Sequence, residues 1–324
     1  MRTPSPANLL SLTAGLALSA WLLLPTPLLA QPAQDQLPDM GTAAQSTLSV
    51  EDENRIGRMV MRGLRESGRV LDDPEVGEYL QSLGLRLSSL AQDGNREFNF
   101  FVVRDPAINA FALPGGFIGV HSGLLLETAS ESELAGVLAH EVAHVTQRHI
   151  ARGLQNQGRA NLVSTAATLA AILIGAMAGG ASNATMGAIT AAQSLAVQSQ
   201  INFTRENEYE ADRIGIGILA SAGFDPNALP SFFDTMGRRT QLGPDQMPEL
   251  LRTHPVTSAR IAESKGRAAQ YPPITPRESL SYALMKERVR VLSTPPGQDP
   301  RTYYAARADN EPDVSLAERY GMAL

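Results

Sequence analysis

There is no cysteine anywhere in the 324 residues. That absence removes disulfides from the fold, a thiol nucleophile from the chemistry and a lipidated cysteine from the options for anchoring. It is compatible with an oxidising compartment without requiring one. Aromatics are sparse, at 5% with a single Trp, and 27 basic residues are outnumbered by 33 acidic ones, giving a net charge of −6. The pI is near 5.5. An acidic chain without basic patches interleaved with aromatics points away from nucleic acid as a partner. No G-x-S-x-G elbow is present, so a serine triad has no local signature. No period of roughly 34 residues recurs, so a tetratricopeptide array is not evident. The 43% hydrophobic content can bury a full core, and length alone allows two domains.

What the chain does have is His140-Glu141-Val142-Ala143-His144. Residues four apart share a helix face, so both histidines can turn a ring nitrogen toward one Zn²⁺. Glu141 sits beside the first of them, where its carboxylate can reach a water on the open metal position. Ser130 to Glu133 reads as a capping box, and Leu134, Val137 and Leu138 give an apolar stripe. A helix is expected from about Glu131 toward Arg152, ending at Gly153. A second helical pattern opens at Arg205, continues through Ile214, Ile216, Ile218 and Leu219, and ends at Gly223. There Glu208 and Asp212 share a face and could approach the pentad together; the plainer reading is an acidic first turn that complements the helix dipole. Glu206 and Glu210 fall elsewhere around that helix and are expected in solvent. His121 is expected to close a turn after a strand, and His149, five residues past His144, to point away from the metal.

These motifs resemble the membrane-associated HExxH zinc metallopeptidases of the prenyl-protease and membrane heat-shock protease type, and more nearly their periplasmic branch. The agreement includes Ile108 to Ala112, Gly115-Gly116, Val120-His121-Ser122 and His140 through His149. It continues with Asn207-Glu208 to Gly215, Gly223-Phe224-Asp225-Pro226 and Thr253-His254-Pro255, in collinear order over roughly residues 48 to 270. The resemblance implies one Zn²⁺ per chain, with His140, His144 and Glu208 as ligands and Glu141 as general base. Asp212 would either donate a proton or orient a ligand histidine. His254 matches a histidine that can reach the metal and hold the enzyme repressed; otherwise it is a loop histidine before a proline. Two neutral imidazoles and one carboxylate would keep a fourth position for water, whose pKa falls to about 7.

Phe98 to Val103 and Phe117 to Val120 read as strands, separated by the turn signal Pro114-Gly115-Gly116. A small sheet ahead of the zinc helix would offer an edge to an extended peptide. The resemblance places Asn109, Ala110 and Phe111 at that edge; they also fit ordinary core strands. The fold class expected is α+β, a mainly helical zincin-type domain over residues 50–269.

Arg2 followed by the apolar run Leu9 to Leu24 reads as a signal peptide over 1–30 and implies a periplasmic location, with an uncleaved anchor as the alternative. Residues 31–49 read as a flexible leader. From Leu162 to Val197 there is no charged residue. This apolar insertion reads as two helices joined by a Gly-rich loop, forming either a core pair or a membrane-surface or partner contact. Residues 270–324 read as a linker and C-terminal helices, about where the resemblance implies that a tetratricopeptide region begins. The chain is either naturally short or truncated there. The function expected is a zinc endopeptidase acting on misfolded or stalled outer-membrane proteins, with unfolded substrates and an outer-membrane assembly machinery as partners. The alternative is a periplasmic chaperone or assembly factor with a largely self-repressed zinc site.

Overall fold

The computed structural model describes residues 48–92, 96–153, 205–240, 248–274, 279–310 and 314–324. The expected signal peptide, nearly all of the leader and the apolar insertion 162–197 lie outside the described residues. No helix among the described residues is long and apolar enough to cross a membrane.

Among the described residues two helices come first. Helix α1 (Val50–Glu66) is capped by Ser49, and α2 (Pro74–Ser88) has Asp73 as N-cap with Pro74 in its first turn. Ser and Asp side chains at that position satisfy backbone N–H groups that the helix leaves open, and a proline there loses no helical hydrogen bond. A three-stranded sheet follows, with β1 (Asn99–Val103), β2 (Ala110–Leu113) and β3 (Phe117–His121) in the order β1-β3-β2. β1 runs parallel to β3 and β2 antiparallel to it, with Phe111 opposite Gly119. The apolar run of β1 is explained by burial on both faces. Phe100 and Val102 join the large core under the sheet, while Phe101 and Val103 join a second cluster formed with α1. Gly115 and Gly116, at φ of 81° and 80°, make the turn between β2 and β3. A Cβ on Gly115 would meet the α1 backbone at Asn54 at 2.8 Å, so both the turn and the close approach require glycine.

A short α3 (Ser122–Glu127) leads to α4 (Glu131–Thr146), the helix that carries the pentad. Every residue of α4 from Ser132 to Thr146 is buried. Ser130 caps it through the Glu133 N–H at 3.2 Å, but the Glu133 carboxylate accepts from the Ala129 N–H at 2.7 Å, one residue earlier than a capping box places it. The helix is also shorter than the periodicity predicts. Arg148 adopts a left-handed backbone, φ 52°, and a separate turn α5 (His149–Gly153) follows. Ion pairing outweighs the cost of that conformation in a non-glycine residue. The buried Arg148 guanidinium donates to Glu53 Oε1 at 2.9 Å and to the Leu48 carbonyl at 2.6 Å, tying the end of α4 to the start of α1.

Helix α6 (Arg205–Ser221) lies along α4. Gly215 permits the contact, since its Cβ position is only 3.1 Å from the backbone nitrogen of His140. Of α7 (Ala228–Thr240), α8 (Glu249–Thr253) and α9 (Ser258–Ala268), the first packs on α4 and the last on α6 and α7. The C-terminal helices α10 (Leu280–Leu292), α11 (Arg301–Asn310) and α12 (Leu316–Ala323) follow. α10 docks on the body: Tyr282 Oη donates to the Thr128 carbonyl at 2.6 Å, and Arg288 pairs with both oxygens of Asp73 at 2.8 Å. The architecture is mainly helical with one small sheet, an α+β fold.

Candidate metal centre

α4 presents His140 and His144 one turn apart, α6 presents Glu208, and the residue closing α8 presents His254. All four are buried, and one donor atom from each lies within 4.8 Å of the others. His140 Nε2 and His144 Nε2 are 3.0 Å apart, and His254 Nδ1 is 3.4 Å from His140 Nε2. Glu208 Oε1 is 3.0 Å from His254 Nδ1 and 3.4 Å from His144 Nε2. A tetrahedral ion with donors at about 2.0–2.1 Å requires donor separations of roughly 3.3 Å, so these edges fit Zn²⁺. Two or three imidazoles with a carboxylate are the donor set of a zinc site and not of a Ca²⁺ or Mg²⁺ site.

Glu141 lies inside the same space. It is fully buried, and the Ala112 backbone N–H faces its carboxylate. His254 Nε2 stands 3.6 Å from its Oε1. Burial raises the pKa of Glu141, against the pull of His254 and His140. A fully buried carboxylate with a raised pKa is costly to keep, and such groups cluster where a reaction needs a base. An apolar pocket opens beside it, lined by Val137, Leu229, Phe233, Leu250 and Val256.

Asp212 stands behind the cluster. Its Oδ1 is 3.0 Å from His140 Nδ1, and it accepts from Arg260 Nε at 2.6 Å and Nη2 at 2.8 Å. Both Asp212 oxygens are thus committed, to His140 and to Arg260. Arg260 also reaches Glu208 Oε2 at 2.6 Å. Burial works against the Asp212 carboxylate, but Arg260 and His140 outweigh it and hold its pKa low. Burial likewise opposes protonated His140, yet Asp212 and Glu208 raise it to about 9. His144 is held well below its ordinary value, by burial first and then by His140.

Two expectations need correction. Because α4 breaks at Arg148, His149 swings back, and its Nδ1 lies 2.8 Å from His144 Nδ1. It supplies no donor to the four-residue cluster, but it does not point away from it. Glu210 is only partly exposed and is paired: His149 Nε2 lies 2.9 Å from its Oε2, and Arg152 donates to the same oxygen at 2.8 Å. The hydrogen bond from His149 is the main cause that lowers the Glu210 pKa to about 2. His121 ends β3 as the residue before α3 and is buried against Phe111, with burial lowering it to about 4. Sequence reasoning misses Arg260 altogether. The available signal is the spacing Arg260, Ser264, Ala268, a four-residue buried stripe on α9 that includes a charge.

Asn109, Ala110 and Phe111 sit at and just before β2, the strand at one side of the sheet. The His121 N–H donates to the Asn109 carbonyl at 2.9 Å. By the alternation of an antiparallel ladder, the backbone groups of Ala110 and Ala112 then face away from β3.

The sequence matches the profile of Peptidase family M48 over residues 74–268. It is 42% identical to the beta-barrel assembly-enhancing protease of Escherichia coli over 254 residues, 78% of this chain and 51% of that one. It is 40% identical to the Yersinia pestis protein of that name over 258 residues, 80% of this chain and 52% of that one. To the mitochondrial metalloendopeptidase OMA1 of Arabidopsis thaliana it is 38% identical over 154 residues, 48% of this chain and 28% of the relative. The chain therefore belongs to peptidase family M48, a family of metallopeptidases. It spans about half the length of the first two relatives.

Proposed function

We propose that the chain is a zinc-dependent endopeptidase. The observation that carries this is Glu141, a fully buried carboxylate set against a cluster of four buried donor groups close enough to share one ion. His140, His144 and Glu208 would hold the metal. A bound zinc supplies Lewis acidity to a water and to the developing oxyanion. Glu141 takes the proton of the attacking water and returns it to the leaving amine. Asp212 holds the His140 ring in the tautomer that presents Nε2, and Arg260 holds Asp212 and Glu208 in register. The edge of β2, through Ala110 and Ala112, would pair with an extended substrate strand.

The relatives' name, beta-barrel assembly-enhancing protease, supports misfolded or stalled outer-membrane proteins as substrates and the periplasm as location. An outer-membrane assembly machinery is the corresponding partner, and the apolar stretch 162–197 a surface for membrane contact. His254 favours one refinement. With Nδ1 at the fourth corner of the cluster and Nε2 facing Glu141, it occupies the place of the water, so the resting site is closed. This closure is also what favours the second reading, a chaperone or assembly factor whose protease stays repressed.

The test is zinc content and cleavage of an unfolded protein such as casein, with Glu141→Gln and His254→Ala alongside. Near one zinc per chain, with cleavage lost in Glu141→Gln and raised in His254→Ala, is the expected result. Cleavage that survives Glu141→Gln would refute the base assignment. Zinc without cleavage in any variant would favour the chaperone reading.

A further inference from the structure

The two histidines of the pentad are held from behind in different ways. His140 is backed directly by a carboxylate, and that carboxylate by an arginine, Asp212 and Arg260. Behind His144 an imidazole is interposed, and the carboxylate and arginine follow it, Glu210 and Arg152. The tautomers follow from the geometry. His144 Nε2 belongs to the donor cluster, so its ring proton sits on Nδ1. That proton has His149 Nδ1 at 2.8 Å as acceptor. His149 then carries its own proton on Nε2, aimed at Glu210 Oε2 at 2.9 Å. Arg152 Nη1 donates to the same oxygen at 2.8 Å and keeps the carboxylate an acceptor. In this assignment each of these links pairs one donor with one acceptor. His149 and His144 are both 1% exposed.

We propose that His149 is a positioning residue for the metal, fixing the tautomer and ring angle of His144 with Glu210 as its anchor. The inference rests on the zinc reading above and extends it to residues outside the donor cluster. Arg148 makes the relay feasible. Its left-handed backbone turns α5 back on α4, and without that turn a residue five past His144 would lie well round the helix from it. The break in α4, a defect if only the helix is considered, is what delivers the imidazole to His144. Glu210 comes from α6, which also supplies Glu208 and Asp212. One helix therefore contributes a ligand and the carboxylate anchors behind both histidines.

The experiment is a zinc titration of the full chain against a chromophoric chelator, with the unfolding midpoint of the metal-free protein measured in parallel. His149→Ala should weaken zinc binding about 10–100-fold, the usual effect of losing such a partner, in a chain whose metal-free unfolding shows it folded at the titration temperature. Glu210→Gln should weaken it in the same direction but less. His149→Gln should recover most of the loss, since its amide can accept from His144 and donate to Glu210. Zinc affinity within about twofold of the parent in folded His149→Ala would overturn the proposal. Should that variant misfold, Glu210→Gln decides by the same criterion, because it leaves both rings in place. A parent chain that binds no zinc would instead refute the metal reading itself.

Discussion

Arg260→Met tests the electrostatic frame of the site most severely. The guanidinium is 2% exposed and makes four polar contacts: two to Asp212, one to Glu208 and one to the Pro255 carbonyl. Methionine keeps apolar contact with Phe233, whose ring centroid lies 4.8 Å from the guanidinium carbon, and so isolates the loss of charge. Removing one partner of a buried pair costs about 3–5 kcal/mol because the other charge is left uncompensated. Here protonated His140 answers part of the Asp212 charge, which places the expected loss near the lower end, about 3 kcal/mol. At about 2–4 °C per kcal/mol, the metal-free chain should unfold about 6–12 °C lower. Arg260→Lys should recover little, because one ammonium cannot reproduce a two-pronged contact to Asp212 while also reaching Glu208. The assay is thermal unfolding of metal-free protein, followed by the Asp212→Asn, Arg260→Met cycle, whose double variant should lose less than the sum of the singles. A loss below about 1 kcal/mol for Arg260→Met would refute the reasoning, since it would mean that the carboxylates are answered without the arginine.

Asp73 carries a pH prediction. The Arg288 hydrogen bonds outweigh burial and lower its pKa from 3.8, so the pair stabilises the fold fully above that value and loses its contribution as pH falls through the lower, folded one. Asp73→Asn keeps the α2 cap and removes the charge. Its stability deficit in urea should therefore be present at neutral pH and shrink below pH 3.8; a constant deficit would contradict the assignment. Gly57→Ala should destabilise by about 1–3 kcal/mol through overpacking, because its Cβ would meet the Pro114 carbonyl at 2.2 Å and the Phe117 ring at 2.5 Å. An unchanged denaturation midpoint would show that α1 does not press on the β2–β3 turn in solution.

The parts of the site readable from sequence are those with a local period. His140, Glu141 and His144 sit in one turn and its neighbour, and the four-residue spacing of Glu208 and Asp212 alone is enough to put them on one helix face. The strands are readable as well, because β-branched and aromatic residues bounded by Pro114-Gly115-Gly116 leave few alternatives. What the sequence hides depends on tertiary charge. Nothing local in Gln147-Arg148-His149 marks a helix end. The break arises because Glu53, 95 residues earlier, binds Arg148 in a left-handed conformation. A helix continued through that turn carries His149 to the wrong side and leaves Glu210 in solvent. Arg260 is hidden for the same reason: an arginine in a polar helix reads as surface unless the two carboxylates of α6 that face it are known.

In the proposed reading His254 closes the site, and its position bears on how that site opens. His254 ends α8, and the Leu250 N–H in that helix donates to the Ile108 carbonyl at 3.0 Å. Ile108 lies two residues before Ala110, and by the same alternation its carbonyl faces the side of β2 that a substrate strand would join. The strap that carries His254 is therefore fastened to the start of the β2 edge proposed to dock substrate. A peptide that pairs along β2 competes for the Ile108 carbonyl, and displacing Leu250 loosens a segment whose last residue is the fourth donor of the cluster. Binding energy at the edge would then be used to uncover Glu141, so that an unoccupied enzyme stays shut. The expected observation is faster hydrogen exchange over residues 249–254 when an extended peptide is added to the Glu141→Gln chain. Exchange that slows there, or does not change while the β2 segment becomes protected, would separate docking from opening and refute the coupling.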